Sequence, residues 1–519
     1  MQGRKNLNEK LFYKVSLSQL VPQNNFYRQL NNTLDLHFLY KSTAKYYGYE
    51  GQKSIDPVVF FKICLVGYLN DIISDRKLMD FCSDSLGIRL FLGYDIDEKL
   101  PWHSTISRTR QLYQEDVFKD VFTTILSQCI TAKLVAGHTQ AIDSAFVKAN
   151  ASMDSLELKV PKDSLEEHLK KVRHLSQMDK DQPHRKAKNN KASEDQRTIS
   201  ASKSKLNDIK TRQKKWSKDQ DQRPGAGNKG SKYTSNKTHY SPTDPDARIS
   251  VKPGKARKLN YYSQISVDTD HQIITQIQAD LADKKDNQYL QDLVAHAQNN
   301  LKQNGLEIEN LLADAGYSSG ENYAWLEKQN IKSYIPPHGT YKGGPEGFEY
   351  VKKGNYWLCP NDKQVVFKKQ VVEKGTLKNH YRTSTADCKN CPLKKSCLSK
   401  SQYSKKISIT AYRAEYERNN ARLAQNKWHK SKRMSTVEPV FGTLINFLGM
   451  QRVNTRGLKQ ANKCMLMAAT AFNLKKLLKY AKKPRISVPH IMEIGQHSPL
   501  NRLNELFLSF IAPHTLQEV

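Results

Sequence analysis

The chain has 519 residues with 83 Lys and Arg against 51 Asp and Glu, a formal net charge of +32 and a sequence pI near 9.6. That length exceeds a single compact core and predicts about three domains or segments. The charge excludes an ordinary small-molecule enzyme. It points to a polyanionic partner, nucleic acid ahead of an anionic membrane surface, because neither an aromatic-rich amphipathic anchor nor a lipidation signal is found.

The start, "MQGRKNLNEK", is basic but leads into no apolar core or small-residue cleavage site, so the expected location is the cytoplasm. From Phe26 to Tyr113 apolar residues recur at three- and four-residue spacing, which predicts helices. The longest apolar stretch, "PVVFFKICLVGYL" from Pro57, is broken by Lys62 and is too short to span a bilayer. Ser54 or Asp56 is the expected cap of this helix, with Pro57 in its first turn. In "LPWHSTISRTR", Ser104 and Thr105 are expected to cap a short helix carrying Arg108 and Arg110 on its exposed side. The region reads either as a helical bundle with a solvated basic face or as a helix-turn-helix-like DNA-binding module.

A strand follows at Thr139–Val147, and it contains one carboxylate, Asp143. An acid in such a setting is either a turn residue where the strand stops or one arm of a metal site. Residues 152–240 then become lysine-rich and poor in core formers, the pattern of charged helices running into a disordered linker. Within it "GAGNKG" matches a dinucleotide-binding fingerprint by letter only, since Gln222, Arg223 and Pro224 precede it where a buried strand is needed.

Regular structure resumes with two alternating runs, Leu259–Val267 and Gln272–Ala279, joined by a turn at Asp268–Asp270. A helix, a strand in "IENLLADAGY", a second helix and a strand in "KSYIPP" complete the pattern of a mixed α/β sheet. Asp314 ends the fourth strand, where open α/β sheets place their sites. If the first and fourth strands are neighbours, Asp143 and Asp314 face each other. Two carboxylates that close require a shared proton or a dication. Oxygen donors without paired histidines favour Mg²⁺ or Mn²⁺ over zinc.

Between Asp314 and the next acid lies a lysine-rich insertion with Cys359 in "YWLCPND" and Cys388, Cys391 and Cys397 in "ADCKNCPLKKSC". Four thiolates make a closed structural zinc site, with an iron–sulfur cluster or unligated thiols as the alternatives. Cys64, Cys82, Cys129 and Cys464 stand in apolar helical settings and read as core. Glu438, in "STVEPVFGTLINFLGMQRVNTRG", is expected at a helix start, with Ser435 or Thr436 as cap and Pro439 in the first turn. Asp244 and Asp246 read as turn residues, with a reach into the active site as the alternative, Asp268 as a turn residue, and His103 and His138 as structural or phosphate-contacting.

The ordered set "AIDSAFVKA", "LLADAGYSSGENY" and "STVEPVFGTLINFLGMQRVNTRG" resembles the three signature regions of bacterial insertion-sequence transposases with a DDE triad. "IDPVVFFKICLVGYL" with "LPWHSTISRTR" is similar to the helical domain that precedes their catalytic core, and the likeness runs roughly from Asn25 to Leu477. The resemblance implies an α/β, ribonuclease H-like mixed sheet interrupted by insertions and preceded by an all-helical domain. It implies that Asp143, Asp314 and Glu438 bind two Mg²⁺ or Mn²⁺ ions for in-line phosphoryl transfer, by water and then by a freed 3′-hydroxyl. Ser144 and Tyr317 lie near the site without being nucleophiles. Where many such transposases carry an arginine and a lysine, four before and seven after the glutamate, this chain has Met434 and Ile445. Lys432 and Arg433 are the candidates for those phosphate contacts.

The expected division is a DNA-binding region at 1–125 and a catalytic domain at 126–338 and 408–482. A cysteine-rich insertion at 339–407 and a tail at 483–519 complete it. The expected partner is double-stranded DNA, transposon ends and target, held by a homodimer associated with the nucleoid. The alternative is a catalytically inactive DNA-binding descendant of such an enzyme.

Overall fold

A computed structural model describes residues 15–161, 235–250, 257–339, 343–373 and 375–481, apart from residues 49 and 51–53 and with a few fragments between 198 and 211. "GAGNKG", most of the lysine-rich segment and the 483–519 tail lie outside the described residues.

The main N-terminal helices are α1 (Phe26–Thr33), α2 (Pro57–Leu69), α3 (Asp75–Asp84), α4 (Leu86–Leu92), α5 (His103–Leu112) and α6 (Glu115–Thr131), with short helical turns at Leu17–Leu20 and Phe38–Thr43. Of the two expected caps for α2, Asp56 is used. Its Oδ1 accepts from the amides of Val58 and Val59 at 2.7 and 3.2 Å, and Pro57 gives up no hydrogen bond in the first turn. α2 is apolar on nearly every side because it is enclosed, burying Phe60, Phe61, Ile63, Leu65 and Val66 completely. Each such side chain contributes about 1.5–3 kcal/mol.

Two details at α5 correct the sequence reading. The helix begins at His103 after Trp102, without a side-chain cap from Ser104 or Thr105. Arg108 is exposed as expected, whereas Arg110 is buried and makes a bidentate pair with Asp75 at 2.7 and 2.9 Å. The one charge-bearing face expected of α5 is therefore split between solvent and core.

The central sheet comprises β1 (Thr139–Lys148), β2 (Arg248–Ser250), β3 (Lys258–Asp268), β4 (Ile274–Leu281), β5 (Asn310–Leu312) and β6 (Lys332–Tyr334). The order is β6-β5-β1-β3-β4, with β2 sharing the outer edge of β3. β1, β3 and β4 run antiparallel in succession, while β1, β5 and β6 are parallel. This is the ribonuclease H-like α/β arrangement, with the helical region before it. α7 (Leu290–Lys302) and α8 (Gly320–Lys328) make the crossovers between β4, β5 and β6.

Five antiparallel strands, β7 (Glu349–Val351), β8 (Tyr356–Leu358), β9 (Gln364–Glu373), β10 (Thr376–Arg382) and β11 (Lys406–Thr410), form the separate sheet of the cysteine-rich insertion. They close over a small core of Trp357, Val365, Tyr381 and Ile407. The chain then enters α9 (Arg413–Gln425), α10 (His429–Phe447) and α11 (Leu458–Ala481).

α11 packs against α6, α2 and β4, so the N-terminal helices and the sheet share one hydrophobic core running from Leu30 to Leu478. Polar contacts reinforce the join. The buried Lys463 of α11 donates to the carbonyls of Arg110 and Tyr113 at 3.0 and 2.6 Å, satisfying the carboxyl end of α5. Asp244 is more than the expected turn residue: it is buried, accepts from Tyr261 and from the amide of Gly457, and with Asp246, which accepts from Leu458, fixes the start of α11. Asp268 keeps its expected place at a strand end and ties down Gly137 and Gln140.

α10 starts earlier than the expected cap at Ser435 or Thr436. It runs from His429, so Pro439 lies mid-helix. Ser435 and Thr436 turn their hydroxyls back to the carbonyl of Lys432. Proline has no N–H to give the carbonyl of Ser435 four residues before it. Gln272 repairs that gap: its Nε2 donates to the Ser435 carbonyl at 2.8 Å, while its Oε1 accepts from Lys476. Gln272→Ala is expected to cost about 1 kcal/mol, the scale of one net hydrogen bond, in urea unfolding. The same substitution combined with Pro439→Ala should cost less than the sum of the two, because the proline no longer leaves the carbonyl open.

Candidate active site

The centre is built where β1 outlasts β5. The two strands pair from Thr139–Asn310 to Ala141–Leu312, and continuing that register brings Asp143 abreast of Asp314. Asp314 leaves the sheet in a short turn, Ala315–Tyr317, and caps it by accepting from the amide of Gly316 at 2.9 Å. Asp143 stays in β1, half-buried. Its Oδ1 accepts from the amide of Ser144 at 2.8 Å, and its Oδ2 is paired with Nη1 of Arg433 on α10 at 2.9 Å.

Burial pushes the Asp143 carboxyl up to about 6; the Ser144 amide and Arg433 oppose that rise, and Asp314 adds to it. The folded chain therefore keeps a proton on Asp143 that the unfolded chain releases near 3.8, so this group's contribution to stability falls as pH rises from about 4 to about 6. We expect Asp143 to titrate near 6 in carboxyl-carbon NMR of metal-free protein, and Arg433→Ala to move the midpoint upward. A midpoint that stays put or falls in the variant would contradict this electrostatic picture.

Of the three expected acids, two are brought together. Glu438 lies on α10, the helix that delivers Arg433, but it is exposed and has no hydrogen bond or ion pair to a described residue. A different acid stands with the first two. Asp286, in the connection between β4 and α7, accepts from the hydroxyl of Ser144 at 2.7 Å. One point, where a Cβ on Gly316 would sit, is 3.0 Å from Asp286 Oδ2 and 3.0 Å from Asp314 Oδ1. Tyr317 is wholly buried behind them, and burial together with the charges of Asp286, Asp143 and Asp314 holds its hydroxyl well above the ordinary range. In "LADKKDNQ" the only signal for Asp286 was an acid ahead of a helix, which the helix dipole explains equally well.

Of the expected phosphate contacts, Arg433 is turned inward onto Asp143, and Met434, at the position where an arginine is common, is exposed. His138 bonds its neighbour Thr139 at 2.7 Å, in line with a structural role.

Cys359, Cys388, Cys391 and Cys397 line one cavity of 190 Å³ in the insertion. The amide of Lys363 donates to Cys359 Sγ at 3.4 Å, and Cys388 Sγ lies 3.0 Å from Thr383 Oγ1. Cys64, Cys82, Cys129 and Cys464 are buried, as expected of core thiols. Neither acids nor thiols are drawn together into a preformed ion cage: among the described residues no group of three or more His, Cys, Asp or Glu is so placed. The donors have the right chemistry for a hard dication in one place and for zinc in the other, but both centres would have to close on the ion.

Comparison with known proteins adds two family matches. A transposase domain model (DUF772) covers residues 15–112, the helical region, and a transposase DDE domain model covers residues 358–478, which include Glu438 and all four insertion cysteines. No curated protein matches the chain. Among solved structures, piggyBac transposase in a synaptic complex with hairpin DNA is similar over 95% of this chain and 84% of that one, at 9% identity and a TM-score of 0.29. No helix among the described residues is long and apolar enough to cross a membrane.

Proposed function

We propose, from the premise that this chain is a DDE transposase, that it cuts DNA at the ends of an insertion sequence and joins the freed 3′ ends to a target. The observation that carries this reading is the alignment of Asp143 and Asp314 where the parallel strands of the sheet end, with Arg433 held against one of them. Asp143 and Asp314 would hold Mg²⁺ or Mn²⁺, with Glu438 as the third acid brought in from α10. Bound ions supply activation of the attacking oxygen and stabilisation of the leaving one.

The protein's own groups support a direct transfer. Ser144 is committed to Asp286 and Tyr317 to Gln264, and Tyr317 is out of solvent, so neither hydroxyl is free to attack a phosphate. With an acid limit near 6, Asp143 is ionised at neutral pH and ready to accept an ion. Arg433 would then be displaced from it, leaving a cation beside the scissile phosphate. The four insertion thiols would take zinc as a structural brace. The net charge of +32 suits binding to two DNA ends by a dimer, with affinity falling by roughly 0.9 log units per released counterion for each log unit of salt.

The test uses purified full-length protein and labelled terminal DNA, with Mg²⁺ or with chelator, comparing wild type and Glu438→Gln. Mg²⁺-dependent cleavage by wild type alone, with equal DNA binding, supports the proposal. Binding without cleavage in every arm indicates a DNA-binding protein that has lost its chemistry.

A further inference from the structure

Three features lie outside the expected triad: the buried Arg110–Asp75 pair, the lysine-rich hairpin of β9 and β10, and Asp286. The first is enclosed in the core, and nothing in the structure specifies what the second would touch. Asp286 has a built environment.

Ser144 and Gln264 are direct partners across β1 and β3, and both address Asp286. The Ser144 hydroxyl donates to Oδ1 at 2.7 Å. Gln264 is fully buried, with its Oε1 taken by the Tyr317 hydroxyl. Its amide nitrogen is turned toward the Asp286 carboxylate but has no partner at full hydrogen-bond distance. Oδ2 of Asp286 is left facing Asp314 across Gly316, where no side chain intervenes. Two carboxylates so placed repel unless something cationic joins them.

We infer that Asp286 is a further carboxylate of the catalytic centre, held by Ser144 with the Gln264 amide turned toward it, so that it and Asp314 together grip a divalent cation. The inference rests on the metal-dependent reading of the site proposed above, and it adds a ligand that the DDE pattern does not contain. Gly316 belongs to the same device, since a Cβ there would fill the gap between the two acids.

Mn²⁺ binding to the full-length protein without DNA, followed by calorimetry and by the electron paramagnetic resonance of free Mn²⁺, tests it. Asp286→Asn should weaken Mn²⁺ affinity by about tenfold or more, as Asp314→Asn does, while end-DNA binding in chelator and the melting temperature stay close to wild type. Ser144→Ala, which leaves the carboxylate but not its orientation, should give a smaller loss and keeps the question answerable if Asp286→Asn folds poorly. Wild-type Mn²⁺ affinity in both Asp286→Asn and Ser144→Ala, with loss in Asp314→Asn, overturns the role of Asp286 alone. Unchanged affinity in Asp314→Asn as well removes the metal-dependent reading beneath it.

Discussion

Asp143→Asn and Asp314→Asn should each lower Mg²⁺-dependent cleavage of end DNA by about 10³-fold, with DNA affinity at fixed salt nearly unchanged. The size follows from what an amide cannot do. It is nearly the shape of the carboxylate, so β1 and the turn after β5 keep their backbone contacts, but it offers no charge to a dication and one oxygen in place of two. Asp143→Asn also strands Arg433, whose guanidinium now has Oδ2 as its partner at 2.9 Å. Combining Asp143→Asn with Arg433→Ala should therefore recover stability without recovering cleavage. The measurement is single-turnover cleavage under saturating protein. A loss of less than tenfold in either single variant would mean that the chemistry lies elsewhere.

The second large effect concerns stability, far from the reacting groups. Asp75→Ala is expected to cost about 3 kcal/mol in urea unfolding, at the low end of what breaking a buried pair costs because Asp75 keeps some exposure. The side chain of Arg110 is 9% exposed and that of Asp75 18% exposed, and their two hydrogen bonds of 2.7 and 2.9 Å form one planar fork. Removing the acid leaves a guanidinium enclosed by α2, α3 and α11 with no counter-charge. Arg110→Met, which removes the charge and keeps the volume, should cost less than Asp75→Ala. Because Lys463 clamps the carbonyl of Arg110 to α11, the loss should appear as unfolding of the helices and the sheet together. Two separated transitions, or a shift below about 1 kcal/mol, would contradict this coupling.

What could be read without coordinates was local or periodic. Alternating runs located β3 and β4, a small and apolar run around Asp143 located β1, and Pro57 preceded by Ser54 or Asp56 as cap announced the start of α2, because capping and strand patterning involve residues within a few positions of each other. The same logic misplaced the start of α10. Ser435, Thr436 and Pro439 make a sound local signal for a helix beginning, and it failed because Gln272, 163 residues away, supplies the donor that makes a mid-helix proline tolerable.

The sequence by itself determined five of the six strands of the central sheet, missing only the short Arg248–Ser250 strand, together with the polyanion-seeking charge and the two aspartates at strand ends, since composition and short-range pattern carry that information. Only tertiary structure decided that Arg433 closes on Asp143 across 290 positions and Asp286 on Ser144 across 142, that Glu438 is exposed and that Arg110 is buried. The reason is physical: a charged side chain has the same identity in water and in a core. Its partner, burial and ionisation are set by whichever distant segment the fold places against it.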